Sequence, residues 1–158
     1  MALQKVKQLP LSVDISDKRD VRTQFGALCY RVRDKKTEVL MISSRRTGRW
    51  VIPKGWPMDG KAPAECALTE AWEEAGAIGK VAGECLGLFS YNKGISENDR
   101  LPCAVMVYPI KVKKLADTFP ESEERNRKWM SPKKAAKKVD EPELAHLLSQ
   151  FDPKILAT

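Results

Sequence analysis

The sequence predicts an α/β domain in which helices pack on a mixed β-sheet, and three observations predict it. Stretches with the aliphatic and aromatic content of strands lie on both sides of one central helix, residues 63–75, which opens on Pro63 and stops at Gly76. Two short helical segments close the chain. No G-x-G-x-x-G follows a strand and there is no phosphate-binding G-x-x-x-x-G-K-[ST] loop, so the helices and strands are not expected to form a Rossmann or P-loop domain.

Size and composition agree with one globular unit. The 158 residues are 42% hydrophobic and 31% charged, enough apolar content to bury a core. No stretch has the apolar length of a bilayer span and the start, MALQKVKQLP, lacks the apolar run of a signal peptide, so the expected location is the cytoplasm. Cys29, Cys66, Cys85 and Cys103 are widely spaced with no C-x-x-C, which predicts reduced structural thiols rather than a zinc site or a disulfide framework. A net charge of +7 favours anionic partners without choosing among polyphosphates, nucleic acid and acidic surfaces.

In order along the chain, residues 1–20 mix Lys, Asp and Ser with few large apolar side chains and read as an arm; the domain spans 21–152, and 153–158 form a tail. Thr23 to Val32 and Glu38 to Ile42 form a hairpin around the charged turn RDKKT, and Trp50 to Ile52 is a short strand. After the central helix, Val81 to Tyr91 reads as one strand with Gly83 and Gly87 as bulges. Asn92 to Arg100 is a polar loop, Leu101 to Val112 a long apolar strand, and Lys113 to Arg127 an irregular charged segment. Ser131 and Pro132 open a helix whose Lys133, Lys134, Lys137 and Lys138 read as a solvated face. Pro142 opens the last helix, with Leu144, Leu147, Leu148 and Phe151 at i, i+3, i+4 and i+7, and Asp152-Pro153 ends it. His146, the single histidine, takes no role.

The chemistry concentrates in Pro53 to Ala77, PKGWPMDGKAPAECALTEAWEEAGA. On a wheel of roughly 100° per residue, Glu73 and Glu74 fall on either side of Glu70, crowding three carboxylates onto one face. Ala64, Leu68, Ala71, Trp72 and Ala75 form an apolar stripe on the opposite arc, and Cys66 lies near the acids. Like charges at this spacing repel, and a hard divalent cation is the natural group to offset them; carboxylate oxygens suit Mg²⁺ or Mn²⁺. A plain solvated acidic face is the competing account of any Glu-rich helix.

These residues resemble the Nudix box, G-x5-E-x7-R-E-U-x-E-E-x-G-U with U bulky and apolar, with Gly55, Glu70, Glu73, Glu74 and Gly76 in register. Four positions depart from it: Lys61 stands for the first Glu, Thr69 for the Arg, and Ala71 and Ala77 are small versions of the apolar positions. In the family the Arg position usually holds the catalytic carboxylates by ion pairing. The resemblance extends to Arg45–Trp56, Gly87–Lys93 and the region of Phe119–Trp129, which look like Nudix enzymes acting on diphosphoinositol and diadenosine polyphosphates.

The resemblance implies a Nudix-type α/β/α sandwich, a mixed sheet with the box helix on one side and C-terminal helices. It implies Mg²⁺-dependent pyrophosphate hydrolysis, with Glu70, Glu73 and Glu74 as catalytic and metal-binding acids and the carbonyl of Gly55 as a further ligand. The base is Glu70 itself or a loop acid among Glu97, Glu121, Glu123 and Glu124. Arg45, Arg46, Arg49 and Lys54 just upstream, with Lys93 and Arg100 in a later loop, are the candidate phosphate-binding cations. Trp56 is a candidate to stack on a base, whereas Trp50 reads as core. Two other readings stay open: a box impaired by Lys61 and Thr69 that binds nucleotide or RNA, and an RNA 5′ pyrophosphohydrolase.

Overall fold

A strand buried on both faces carries an unbroken apolar run, and β1 (Arg22–Arg33) has one, buried from Gln24 to Tyr30. The structure, a computed structural model describing residues 21–94 and 98–156, places β1 at the centre of an eight-stranded sheet. The arm expected over 1–20, and Glu97, lie outside the described residues. β1 turns into β2 (Lys36–Ser43) through Asp34 and Lys35, both at positive φ, which matches the right-handed twist of a two-residue hairpin. The main path through the sheet adds β3 (Trp50–Val51) outside β2, and β7 (Arg100–Leu115) and β5 (Ala77–Val81) beyond β1. β4 (Lys54–Gly55) pairs with β1, β6 (Gly87–Gly94) with β7, and β8 (Arg127–Met130) with β2. β1 and β7 run parallel and the other pairs antiparallel, so the sheet is mixed.

Alternation along the strands sorts the core into two layers. Phe25, Ala27, Cys29, Leu40, Ile42, Tyr108 and Ile110 face α1 (Pro63–Ala75). Leu28, Tyr30, Val39, Met41, Val105 and Val107 face Ala135 of α2 (Pro132–Lys138) and Leu144 and Leu148 of α3 (Pro142–Gln150). This is the expected α/β/α sandwich. Trp50 packs against the second layer, as expected of a core residue. Ser131 caps α2, its Oγ accepting from Lys134 N at 3.2 Å, and Pro142 opens α3. Among the described residues no helix is long and apolar enough to cross a membrane.

Three expectations are corrected. The single strand over Val81–Tyr91 is two, β5 and β6, both laid along β7. Between them Ala82 N donates to Pro109 O at 2.9 Å and Leu86 N to Val107 O at 2.8 Å, but Pro109 has no N–H to return, so the ladder breaks there. Lys113–Arg127 is not irregular throughout: β7 continues to Leu115 and β8 begins at Arg127. The polar loop is shorter than Asn92–Arg100, because β6 runs to Gly94.

Candidate active site

The site begins where the chain leaves β4 and enters α1. Ala27 N holds Pro53 O at 2.9 Å and Phe25 pairs with Gly55, so β4 is fixed against the central strand. Pro63 sits at the first turn of α1, where its missing N–H removes no helical bond, and Met58 N donates to Cys66 Sγ at 3.4 Å, tying the connecting loop to the helix. Gly76 ends the helix at φ 64°, its N–H shared between Ala71 O and Trp72 O. Cys66 is fully buried beside the acids and Cys29 is pushed up to about 12 by burial, so both are structural thiols.

The buried face of α1 differs from the expected stripe. Cys66, Ala67, Glu70, Ala71, Glu74 and Ala75 are buried, while Ala64, Leu68 and Trp72 are half-buried. Two acids therefore lie within the packed arc rather than opposite it, with Glu70 7% and Glu74 9% exposed. Glu70 lies so close to Gly55 that a Cβ there would overlap its carboxylate and displace it. Glu74 Oε1 accepts from Lys54 N at 3.2 Å.

The Glu70 and Glu74 carboxyls lie one helical turn apart on the same buried arc. Burial raises the pKa of Glu70 well above the carboxylate range, and the charges of Glu74, Glu73 and Glu121 raise it further. Burial also raises Glu74, against the opposing pull of Arg125 and Lys54. Two neighbouring buried carboxyls pushed toward their neutral forms are an arrangement a hard cation would offset, and the all-oxygen donors suit Mg²⁺ or Mn²⁺. Glu73 stands beside the pair, close enough for its charge to act on Glu70. Among the described residues no set of three acidic, imidazole or thiol side chains is already gathered for a metal.

The segment between β7 and β8 is bonded to the end of the helix. Ala116 N donates to Gly76 O at 2.8 Å, Glu121 N to Glu73 O at 3.0 Å, and Arg127 Nη1 to Ala75 O at 2.7 Å. Of the loop acids, this brings Glu121 to the pair: its charge acts on both Glu70 and Glu74. Arg125 comes with it, its guanidinium reaching Glu74 and Glu121. Sequence reasoning missed Arg125 because it lies in a run of charges, EERNR, that has no periodicity to read.

The cations at the mouth fall into three groups. Arg45 pairs with Glu121 at 3.5 Å and Glu124 at 3.3 Å, and Arg49 with Glu141 at 2.6 Å and Asp140 at 3.4 Å. Lys54 Nζ lies 4.9 Å from the centre of the Tyr91 ring, and Lys93 Nζ 5.8 Å from that of Trp56, which is 38% exposed. Arg46 Nη1 donates to Gly94 O at 3.3 Å, and Arg100 pairs with Gly94 across β6 and β7. Burial lowers the Lys54 amine, Glu74 and Glu141 oppose this, and Lys93 and Arg49 add to it, so these groups share one locus. Glu141, also missed from the sequence, has one buried oxygen without a hydrogen-bond partner.

The two departures that change the charge of the box touch each other. Lys61 Nζ donates to Thr69 Oγ1 at 2.9 Å and Thr69 Oγ1 to Glu65 O at 3.0 Å, and no hydrogen bond or ion pair of either residue reaches Glu70 or Glu74.

A mixed sheet between helices, with a glycine loop feeding an acidic helix, places the protein in the class of α/β domains built around that loop-and-helix site. The chain belongs to the Nudix family, as a pyrophosphohydrolase: the family model described as NUDIX domain matches residues 22–151. It is similar to the human diphosphoinositol polyphosphate phosphohydrolase 3-alpha, 31% identical over 124 residues that cover 77% of this chain and 71% of that protein. It is 35% identical over 115 residues to the chloroplastic Nudix hydrolase 21 of Arabidopsis thaliana, covering 70% of this chain and 56% of that one. Among solved structures, a binary complex of the C. elegans Ap4A hydrolase superposes with a TM-score of 0.65 at 25% identity, over 83% of this chain and 95% of that chain.

Proposed function

We propose that the protein is an Mg²⁺-dependent hydrolase that cleaves a pyrophosphate bond in a polyphosphorylated small molecule, a diphosphoinositol polyphosphate or a diadenosine polyphosphate. The observation that carries this reading is the buried Glu70–Glu74 pair seated against Gly55 and faced by Lys54, with Arg49 and Lys93 in the same field. The named activities of the similar human and nematode proteins support the substrate classes.

Glu70 and Glu74, with Glu73 beside them and the Gly55 carbonyl at the loop, would hold the cation. A bound divalent cation supplies positive charge against the leaving phosphate and lowers the pKa of a bound water. Lys54, Lys93 and Arg49 orient the phosphate chain, with Arg45, Arg46 and Arg100 further out, and Trp56 offers an exposed ring. The charge of Glu121 acts on both buried carboxyls, which supports it as the loop acid that takes the proton of the attacking water. The separation of Lys61 and Thr69 from the acid pair supports a working site over an impaired one.

The test is a panel of polyphosphates with Mg²⁺, run on the wild type, Glu73→Gln and Glu74→Gln. Release of phosphate from a diphosphoinositol polyphosphate, or of two nucleotides from a diadenosine polyphosphate, lost in Glu74→Gln, is the expected result. No hydrolysis of any member by the wild type would favour the binding reading, and activity untouched by both substitutions would remove the site.

A further inference from the structure

The family's acid-holding arginine position is Thr69 here, yet the buried acids are not without a guanidinium. Arg125 reaches them from the segment between β7 and β8, with its side chain 8% exposed. Nη1 donates to Ser43 O at 3.0 Å; Nε and Nη2 meet Glu121 Oε1 at 3.2 Å and 3.1 Å, and Nη2 lies 3.5 Å from Glu74 Oε2. One planar fork thus joins the end of β2, the box helix and the loop acid.

We propose that Arg125 is the positioning residue of this site, a built-in counter-cation that fixes Glu74 and Glu121 in the metal-free protein and whose charge opposes that of a divalent cation held at Glu74. The proposal rests on the hydrolase reading above. The two oxygens of Glu74 are held by different partners, Oε1 by Lys54 N and Oε2 by Arg125, and this sets the plane of the carboxylate. Each oxygen has a second lone pair, so both holds leave room for a metal bond. The backbone bonds from Ala116 and Glu121 to the helix end set where the loop lies, so the guanidinium has little freedom to leave.

Two opposed effects follow from removing it. The metal loses an opposing positive charge and binds more tightly, while the acids lose their orientation and turnover slows. A residue that merely tied the loop to Ser43 would produce neither.

The experiment uses the full chain and its Arg125→Gln and Arg125→Lys variants. Mn²⁺ binding is measured by calorimetry without substrate, thermal midpoints without metal, and kcat and KM on the polyphosphate that the panel identifies. Arg125→Gln is expected to bind Mn²⁺ at least about threefold more tightly while kcat falls at least about tenfold and KM stays within about threefold. Arg125→Lys keeps the charge without the fork, so its Mn²⁺ affinity stays within about twofold of wild type and its kcat falls by about three- to tenfold. Unchanged or weaker Mn²⁺ binding in Arg125→Gln, or a wild-type kcat in either variant, overturns the proposal. Should Arg125→Gln fail to fold, the kcat and Mn²⁺ affinity of Arg125→Lys decide. A wild type that hydrolyses nothing sinks the hydrolase reading, and the Mn²⁺ arm still judges Arg125.

Discussion

The two ends of the box helix are built differently. Toward its C-terminal end Glu70 lies against Gly55, Glu74 is held by Lys54 N and Arg125, and the loop after β7 is bonded to the helix end. Toward its N-terminal side Lys61, in the loop before the helix, donates to Thr69 and Thr69 to Glu65 O, both half-buried and without a bond to the buried acids. The two departures that change the charge of the box, Lys61 and Thr69, lie on the loosely tied side. The firmly tied end keeps its acids and draws its arginine from elsewhere in the chain.

Substitutions on the two sides should therefore differ sharply. Glu74→Gln leaves the shape but removes a charge from the reacting centre, and kcat on the best polyphosphate should fall by about 10²–10³. Gly55→Ala drives a Cβ into the Glu70 carboxylate; kcat should fall by about tenfold or more and stability by about 1–3 kcal/mol, read by steady-state kinetics and denaturant titration.

The pH dependence isolates the acid pair. Both acids have folded pKa values raised above 4.5, the ordinary value, so the folded protein holds their protons more tightly than the unfolded chain. Their contribution to stability is present in acid and is lost as pH rises through the folded values. The metal-free thermal midpoint should thus carry a downward slope between pH 5 and pH 8 that Glu70→Gln reduces, and Mn²⁺ should raise the midpoint more at pH 8 than at pH 5. At the other end, Lys61→Ala should change kcat by less than about twofold and stability by less than about 1 kcal/mol. A large loss there would join the two ends that the structure separates.

What the sequence disclosed and what it hid follow from the range of the interactions. Pro63 and Gly76 bounded the helix, and the apolar runs Thr23–Val32 and Glu38–Ile42 around the charged turn RDKKT gave the hairpin, because these signals are local. The wheel placed Glu70, Glu73 and Glu74 together but set them opposite a stripe that includes Trp72, whereas Glu70 and Glu74 are buried and Trp72 only half so. A wheel records angles and says nothing of which arc meets the sheet. Arg45 and Arg49 were legible as cations, but their partners Glu124 and Glu141 lie 79 and 92 residues away. Arg125 was hidden for the same reason, since its role exists only once Glu121 N has met Glu73 O. The split of β5 from β6 turned on Pro109, a residue of the neighbouring strand.

The most direct measurement is a calorimetric titration of Mn²⁺ into the substrate-free wild type and into Glu70→Gln combined with Glu74→Gln. Carboxylate-dependent binding that weakens at least about tenfold in the double variant is the predicted result. Equal affinity in the two proteins would contradict the assignment of the buried pair as the cation site.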